Sequence, residues 1–207
     1  MRFLRRPRRE SRSIAVFCGA FHPPTVAHAA LARAAKDRVD EVLWVMPERF
    51  PHKTYEGVGL AGRLRMILES TTDPVAVARE NLFFSIAREA EESLPGTAIR
   101  LLIGEDGARR VVEWDYGFDR EEHERFLMEH LRQFPILTAR RQEQWVLPAG
   151  FEDGFEWIDV EPAVAAVSST EVRDRIARGE DWATLVPEEI RRRVAELYAS
   201  GGTVKGQ

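Results

Sequence analysis

Ser13-Ile14-Ala15-Val16-Phe17-Cys18-Gly19-Ala20-Phe21-His22-Pro23-Pro24-Thr25-Val26-Ala27-His28 is the stretch that decides the fold. Its first five residues are a short apolar run and read as a buried strand. Gly19 permits a close backbone approach to a ligand, and two prolines stiffen the loop. Thr25 is placed to cap a helix predicted from about Val26 to Arg38. His28 then lies in the first turn of that helix. Free amides and the helix dipole make such a start an anion site. A histidine there adds a donor that can carry positive charge. The same residues also fit a stiffened strand-to-helix turn around a buried histidine. His22 and His28 lie six apart and lack the i, i+4 spacing of a helical metal pair, so no metal site is expected here.

Outward from this stretch, apolar runs and helical stripes alternate. Glu41–Met46, Val75–Ala78, Ala98–Ile103, Pro135–Ala139 and Phe155–Val160 read as further strands. Helices are predicted over Leu60–Leu68, Leu82–Leu94, Arg120–Arg132, Ser169–Arg178 and Pro187–Ser200. The alternation argues for an α/β domain with a mostly parallel sheet. Ligands of such sheets bind at the carboxyl ends of strands, where strand order reverses. The loops after the first two strands, the Gly104 turn and the start of the Ser169 helix should therefore face one crevice.

Composition sets the outer bounds. The chain has 207 residues, 44% hydrophobic and 31% charged, enough for one sizeable core. A single cysteine, Cys18, excludes a disulfide framework and a Cys-based zinc site. No apolar run reaches the ~20 residues of a membrane helix. The arginine-rich start has no apolar stretch behind it and is not a secretory signal, so a cytoplasmic protein is expected. Residues 1–12 are expected to be a basic flexible tail, 13–200 a single domain, and 201–207 a flexible tail. Residues 1–13 carry six arginines and one glutamate, which leaves −9 on the rest of a chain of net charge −4. An acidic body is a poor nucleic-acid surface, and no nucleic acid or membrane partner is expected. A homo-oligomer is compatible with the sequence.

A second anion signal lies at Val167-Ser168-Ser169-Thr170-Glu171-Val172-Arg173. Ser168 and Glu171 fit a capping box. Three consecutive hydroxyl residues exceed what one cap needs, and Arg173 sits one turn in, with the forked donors that suit phosphate. Two anion-binding helix starts at opposite ends of one α/β chain suggest a polyphosphate ligand.

Together these residues resemble the T/H-x-G-H nucleotidylyltransferase superfamily. Its first signature, G-x-F-x-P-x-T/H-x-G-H, matches Gly19–His28, and its second, I-S-S-T-x-I-R, matches Val167–Arg173. The chain looks most like nicotinate (or nicotinamide) mononucleotide adenylyltransferase. Pro51-His52-Lys53 resembles that family's P-P-H-K loop. Leu102-Ile103-Gly104-Glu105-Asp106, with Trp114 following, resembles its I-I-G-x-D…W segment. Leu185–Tyr198 resembles its closing helix. There are departures: Ala27 stands where the motif has glycine, Arg79–Ile86 replaces an S-Y-T-x-x-T-L segment, and Gly117–Gln133 looks like an insertion.

The resemblance implies a Rossmann-like, doubly wound, mostly parallel sheet with helices on both faces. It also implies transfer of AMP from ATP to the phosphate of a pyridine mononucleotide, with release of pyrophosphate, in NAD biosynthesis. His28, Thr25 and Arg173 would be the catalytic residues. Gly19, Ala20, Phe21, His28, Gly104, Asp106, Ser168, Ser169, Thr170 and Arg173 would bind ATP. Lys53, His52 and Trp114 would meet the acceptor. Mg2+ would arrive with ATP and be held largely by phosphates and water. Another adenylyl- or cytidylyltransferase, such as pantetheine-phosphate adenylyltransferase, and a non-catalytic nucleotide-binding regulator are the competing readings.

Overall fold

A computed structural model describes residues 1–49, 57–140 and 145–198. Along the chain run β1 (Arg2–Arg5), β2 (Ser13–Cys18), α1 (Val26–Ala35), β3 (Glu41–Pro47), α2 (Leu60–Ser70), β4 (Val75–Ala78) and α3 (Phe83–Ser93). There follow β5 (Ala98–Leu102), α4 (Glu105–Glu113), α5 (Arg120–Gln133), β6 (Ile136–Thr138), β7 (Phe155–Trp157), α6 (Pro162–Ala165), α7 (Ser169–Arg178) and α8 (Arg191–Tyr198). The strands form one sheet of seven in the order β1-β4-β3-β2-β5-β6-β7. Every pairing is parallel except β1 with β4.

Alternation along the central strands sets the two layers. Ile14, Val16 and Cys18 face one side with Leu43, Val45, Ile99 and Leu101, and are covered by α3, α4 and α5. Ala15 and Phe17 face the other with Val42, Trp44 and Met46, and are covered by α1 and α2. A strand apolar on both faces is stable only where helices cover both, which is why these runs read as continuous rather than alternating. A third cluster joins Met66 of α2 to Val172 of α7 and Ile190 and Val194 at the C-terminal end. It ties the last quarter of the chain to the first layer.

The expected doubly wound α/β fold is present, with three corrections to its parts. Residues 1–12 do not form a flexible tail: Arg2–Arg5 pair antiparallel with β4 as an edge strand. Arg5 and Arg8 there donate side-chain hydrogen bonds to carbonyls of the fold. Arg5 Nη1 donates to the carbonyls of Thr71 and Asp73 at 2.6 and 2.8 Å. Gly104–Gly107 is not only a turn but opens α4, with Gly104 as its cap residue. The closing helix begins later than expected, because Pro187 (ψ 140°) is followed by a 3-10 turn at Glu188–Ile190. The helix expected over Arg120–Arg132 is present as α5 within Gly117–Gln133, and its Leu127 and Leu131 belong to the core. Residues 201–207 lie outside the described residues.

Gly154, just before β7, packs directly on α5. A Cβ there would lie 2.6 Å from Leu131 Cβ, and Leu131 is buried. Gly154→Ala is therefore expected to destabilise the fold by about 1–3 kcal/mol through overpacking. Urea unfolding reads this as a lower midpoint, and an unchanged midpoint would mean that α5 shifts freely on the sheet.

Candidate active site

Strand order reverses at β2, which has β3 on one side and β5 on the other. The loops leaving the carboxyl ends of β2 and β5 part there and open a crevice, as doubly wound sheets require. A cavity of about 530 Å³ occupies it. Gly19, Ala20 and His28 line it from the β2–α1 side, and Gly104, Asp106 and Trp114 from the β5–α4 side. Val167, at the start of the second signature, also reaches it.

The α1 start is built around its histidine. Thr25 is the N-cap and His28 the third helical residue, and together they close a reciprocal capping box. The Thr25 backbone N–H donates to His28 Nδ1 at 3.0 Å, and the Thr25 hydroxyl lies 2.7 Å from the same nitrogen. A ring nitrogen that accepts a backbone N–H is unprotonated, so in the neutral ring Nε2 carries the hydrogen. Thr25 is fully buried. Thr25 does not line the cavity, and its hydroxyl and backbone N–H face His28 instead.

Phe21 is likewise buried. Its ring centroid lies 5.2 Å from Phe17, 4.9 Å from Trp44 and 5.2 Å from His28. Its backbone has φ 45°, a left-handed conformation uncommon for a bulky residue. The ring also explains Gly19, where a Cβ would stand 2.9 Å from Phe21 Cζ. The Gly19–Phe21 turn is thus held by aromatic packing, and Phe21 shapes the loop from behind.

The two signatures meet. Arg173 Nη1 donates to the His22 carbonyl at 2.6 Å and to the Ser169 carbonyl at 3.1 Å. Ser169 Oγ donates to the Pro23 carbonyl at 2.8 Å. From α2, buried Arg63 donates to the Ala20 carbonyl at 3.1 Å. Three carbonyls of the first loop are thereby tied by donors from α2 and α7. Ser168 caps α7 by accepting the Glu171 N–H at 3.0 Å. Glu171 does not complete the capping box, because its carboxylate pairs with Arg175 at 2.7 Å. Arg173 Nη2 donates to Thr170 Oγ1 at 3.2 Å.

Sequence reasoning missed several lining residues. Asn81, Leu82 and Phe83 come from the segment that departs from the family pattern, and Arg110 and Tyr116 come from α4 and the turn after it. Ala108, Val111 and Val112 at helical spacing were the signal for α4. His52 and Lys53 lie outside the described residues. Burial raises the Cys18 thiol well above its ordinary range, so it lines the cavity as an apolar group. Burial pushes the Tyr116 hydroxyl up to about 12, and it donates to the Val111 carbonyl at 3.1 Å.

A sequence model of the cytidylyltransferase-like family matches residues 16–175. A "probable nicotinate-nucleotide adenylyltransferase" of Anaeromyxobacter dehalogenans is 31% identical over 89% of this chain and 95% of its own. One of the same description from Exiguobacterium sibiricum is 28% identical over 90% of this chain and 99% of its own. Among solved structures, the Plasmodium falciparum nicotinic acid mononucleotide adenylyltransferase complexed with NaAD superposes with TM-score 0.66. At 14% identity, over 94% of this chain and all of that one, it shows a shared fold.

His22 supplies a pH test of the clamp. Burial first, then the Arg173 and Arg63 charges, lower its pKa from 6.5 to about 4. Folded His22 is thus neutral where the unfolded residue binds a proton, so its contribution is complete above pH 6.5 and lost as pH falls toward about 4. Chemical unfolding at pH 7 and pH 5 should show a larger loss in the wild type than in His22→Asn. Equal losses would place the pH sensitivity elsewhere.

Proposed function

The chain belongs to the cytidylyltransferase-like family, and from that membership we propose that it transfers AMP from ATP to nicotinate mononucleotide and releases pyrophosphate. It is a nucleotidyltransferase of NAD biosynthesis on this reading. The observation that carries it is the crevice itself. One cavity is lined both by His28 at the α1 start and by the aromatic residues Trp114 and Tyr116, which suits two nucleotides meeting at a phosphate.

The acceptor phosphate is already ionised, so no general base is needed. One of its oxygens forms a bond to the α-phosphorus of ATP. The bond from that phosphorus to the bridging oxygen breaks, and pyrophosphate leaves with the electron pair. Alignment and charge stabilisation then supply the rate. His28 Nε2–H would donate to an α-phosphate oxygen, its orientation fixed by the bonds from Thr25 to Nδ1. The β- and γ-phosphates would lie at the α7 start. There the hydroxyls divide by chemistry. Ser168 and Thr170 oxygens accept bonds from within the helix, which leaves their O–H groups to donate to phosphate. The Ser169 hydroxyl is committed to Pro23, so that residue offers its backbone amide. Arg173 would reach phosphate while holding the first loop. Gly104 and Asp106 would meet the adenosine ribose, and His52 and Lys53 the acceptor phosphate. The described residues contain no cluster of three or more His, Cys, Asp or Glu fit to cage a metal. Mg2+ would enter as part of Mg-ATP, held by phosphate oxygens and water.

Pyrophosphate release from Mg-ATP tests the reading directly, with nicotinate mononucleotide, nicotinamide mononucleotide, phosphopantetheine or no acceptor, and with CTP in a parallel series. Release with ATP and nicotinate mononucleotide is expected. Silence across the panel with ATP still bound would leave a nucleotide-binding regulator. His28→Ala should keep the fold and lose about 100- to 1000-fold in kcat, as when a transition-state donor is removed. Thr25→Val should lose about tenfold in kcat with the KM for ATP little changed, since it acts through His28. Wild-type rates in both variants would remove the role assigned to His28.

A further inference from the structure

Arg110 is the charged residue of the crevice to which the reaction above gives no part. Asp106, Gly107, Arg110, Val111 and Trp114 all line the cavity from α4 and its C-cap, a single helix face at i, i+4 and i+8. Its neighbour Arg109 instead pairs with Glu113 at 2.9 Å. Arg110 makes no hydrogen bond or ion pair with any described residue, not even with Asp106 one turn before it. Among the described residues that line the cavity it is also the one lysine or arginine. An exposed guanidinium at a cavity wall, engaged by no carboxylate of the described residues, is suited to a planar anion, which it can grip with two parallel donors.

The surroundings say which anion. Phe83, Trp114 and Tyr116 line the cavity together with Arg110, and the Tyr116 hydroxyl is anchored to the Val111 carbonyl. A flat ring fits there. The acceptor phosphate must instead lie against ATP, at the His28 end. The anion within reach of Arg110 is therefore the one on the ring.

We propose that Arg110, on the cavity face of α4 beside Trp114, reads the pyridine carboxylate and selects nicotinate mononucleotide over its carboxamide counterpart. The inference rests on the adenylyl-transfer reading above. The ring nitrogen of both acceptors bears the ribose, so the ring is a cation and stacks well on an indole face. With nicotinate, the carboxylate sits between ring charge and guanidinium and offsets both. With nicotinamide, the ring cation and the guanidinium meet without a ligand carboxylate between them. Selection thus has an attractive and a repulsive half.

Steady-state kinetics of wild type, Arg110→Gln and Arg110→Lys with each acceptor test this. In Arg110→Gln, kcat/KM for nicotinate mononucleotide should fall about 10- to 100-fold, mostly through KM, the size expected for a lost charge-assisted hydrogen-bond pair. For nicotinamide mononucleotide it should change less than about threefold or rise, because a repulsive charge is removed. Arg110→Lys should recover part of the preference. Equal losses with both acceptors would put Arg110 on the shared phosphate and overturn the proposal, as would no change with either. Wild-type inactivity with both acceptors would remove the adenylyl-transfer reading and this inference with it. Activity with an indifferent Arg110→Gln would overturn this inference alone.

Discussion

Everything at the crevice depends on the grip of α7 on the loop after β2. Arg173 and Ser169 donate to the carbonyls of His22 and Pro23, across separations of 151 and 146 residues. A long-range contact of this kind is expensive in chain entropy and forms only when the intervening sheet is in place. Once made, it fixes the β2–α1 loop from outside while Phe21 fixes it from within. The α1 and α7 starts are thereby held side by side, an arrangement that neither helix could provide alone.

The β2–α1 stretch was legible because its physics is local. A continuous apolar run, a glycine, two prolines and a capping threonine each have one good conformation, and they agree. Val75–Ala78 and Ser169–Arg178 fall on the residues expected for the same reason. What was not legible depended on partners remote in sequence. The Arg2–Arg5 edge strand looks like a tail because its arginines look solvated, yet Arg5 satisfies carbonyls at the end of α2. The α4 helix hides behind Gly104-Glu105-Asp106-Gly107, whose composition suggests a turn. Its apolar face shows only once the sheet supplies something to bury it against.

Site residues divide along the same line. His28, Gly19, Asp106 and Trp114 were singled out by motif spacing, and they line one cavity. Thr25 and Phe21 were expected at the ligand; both are buried and neither lines the cavity, because a motif names residues without saying which way they face. Thr25 spends its polar atoms on His28, and Phe21 spends its ring on the core. Arg110 belongs to no quoted motif. Its signal is its place on the helix face that lines the cavity, which cannot be seen before α4 is placed.

The arrangement of the two helix starts is tested most directly by a crystal structure with a non-hydrolysable ATP analogue and Mg2+. The α-phosphate is expected beside His28 Nε2, with the β- and γ-phosphates at Ser168, Thr170 and Arg173 and the Trp114 end left for the acceptor. A triphosphate bound away from both helix starts, or an adenine seated between Trp114 and Tyr116, would contradict the account.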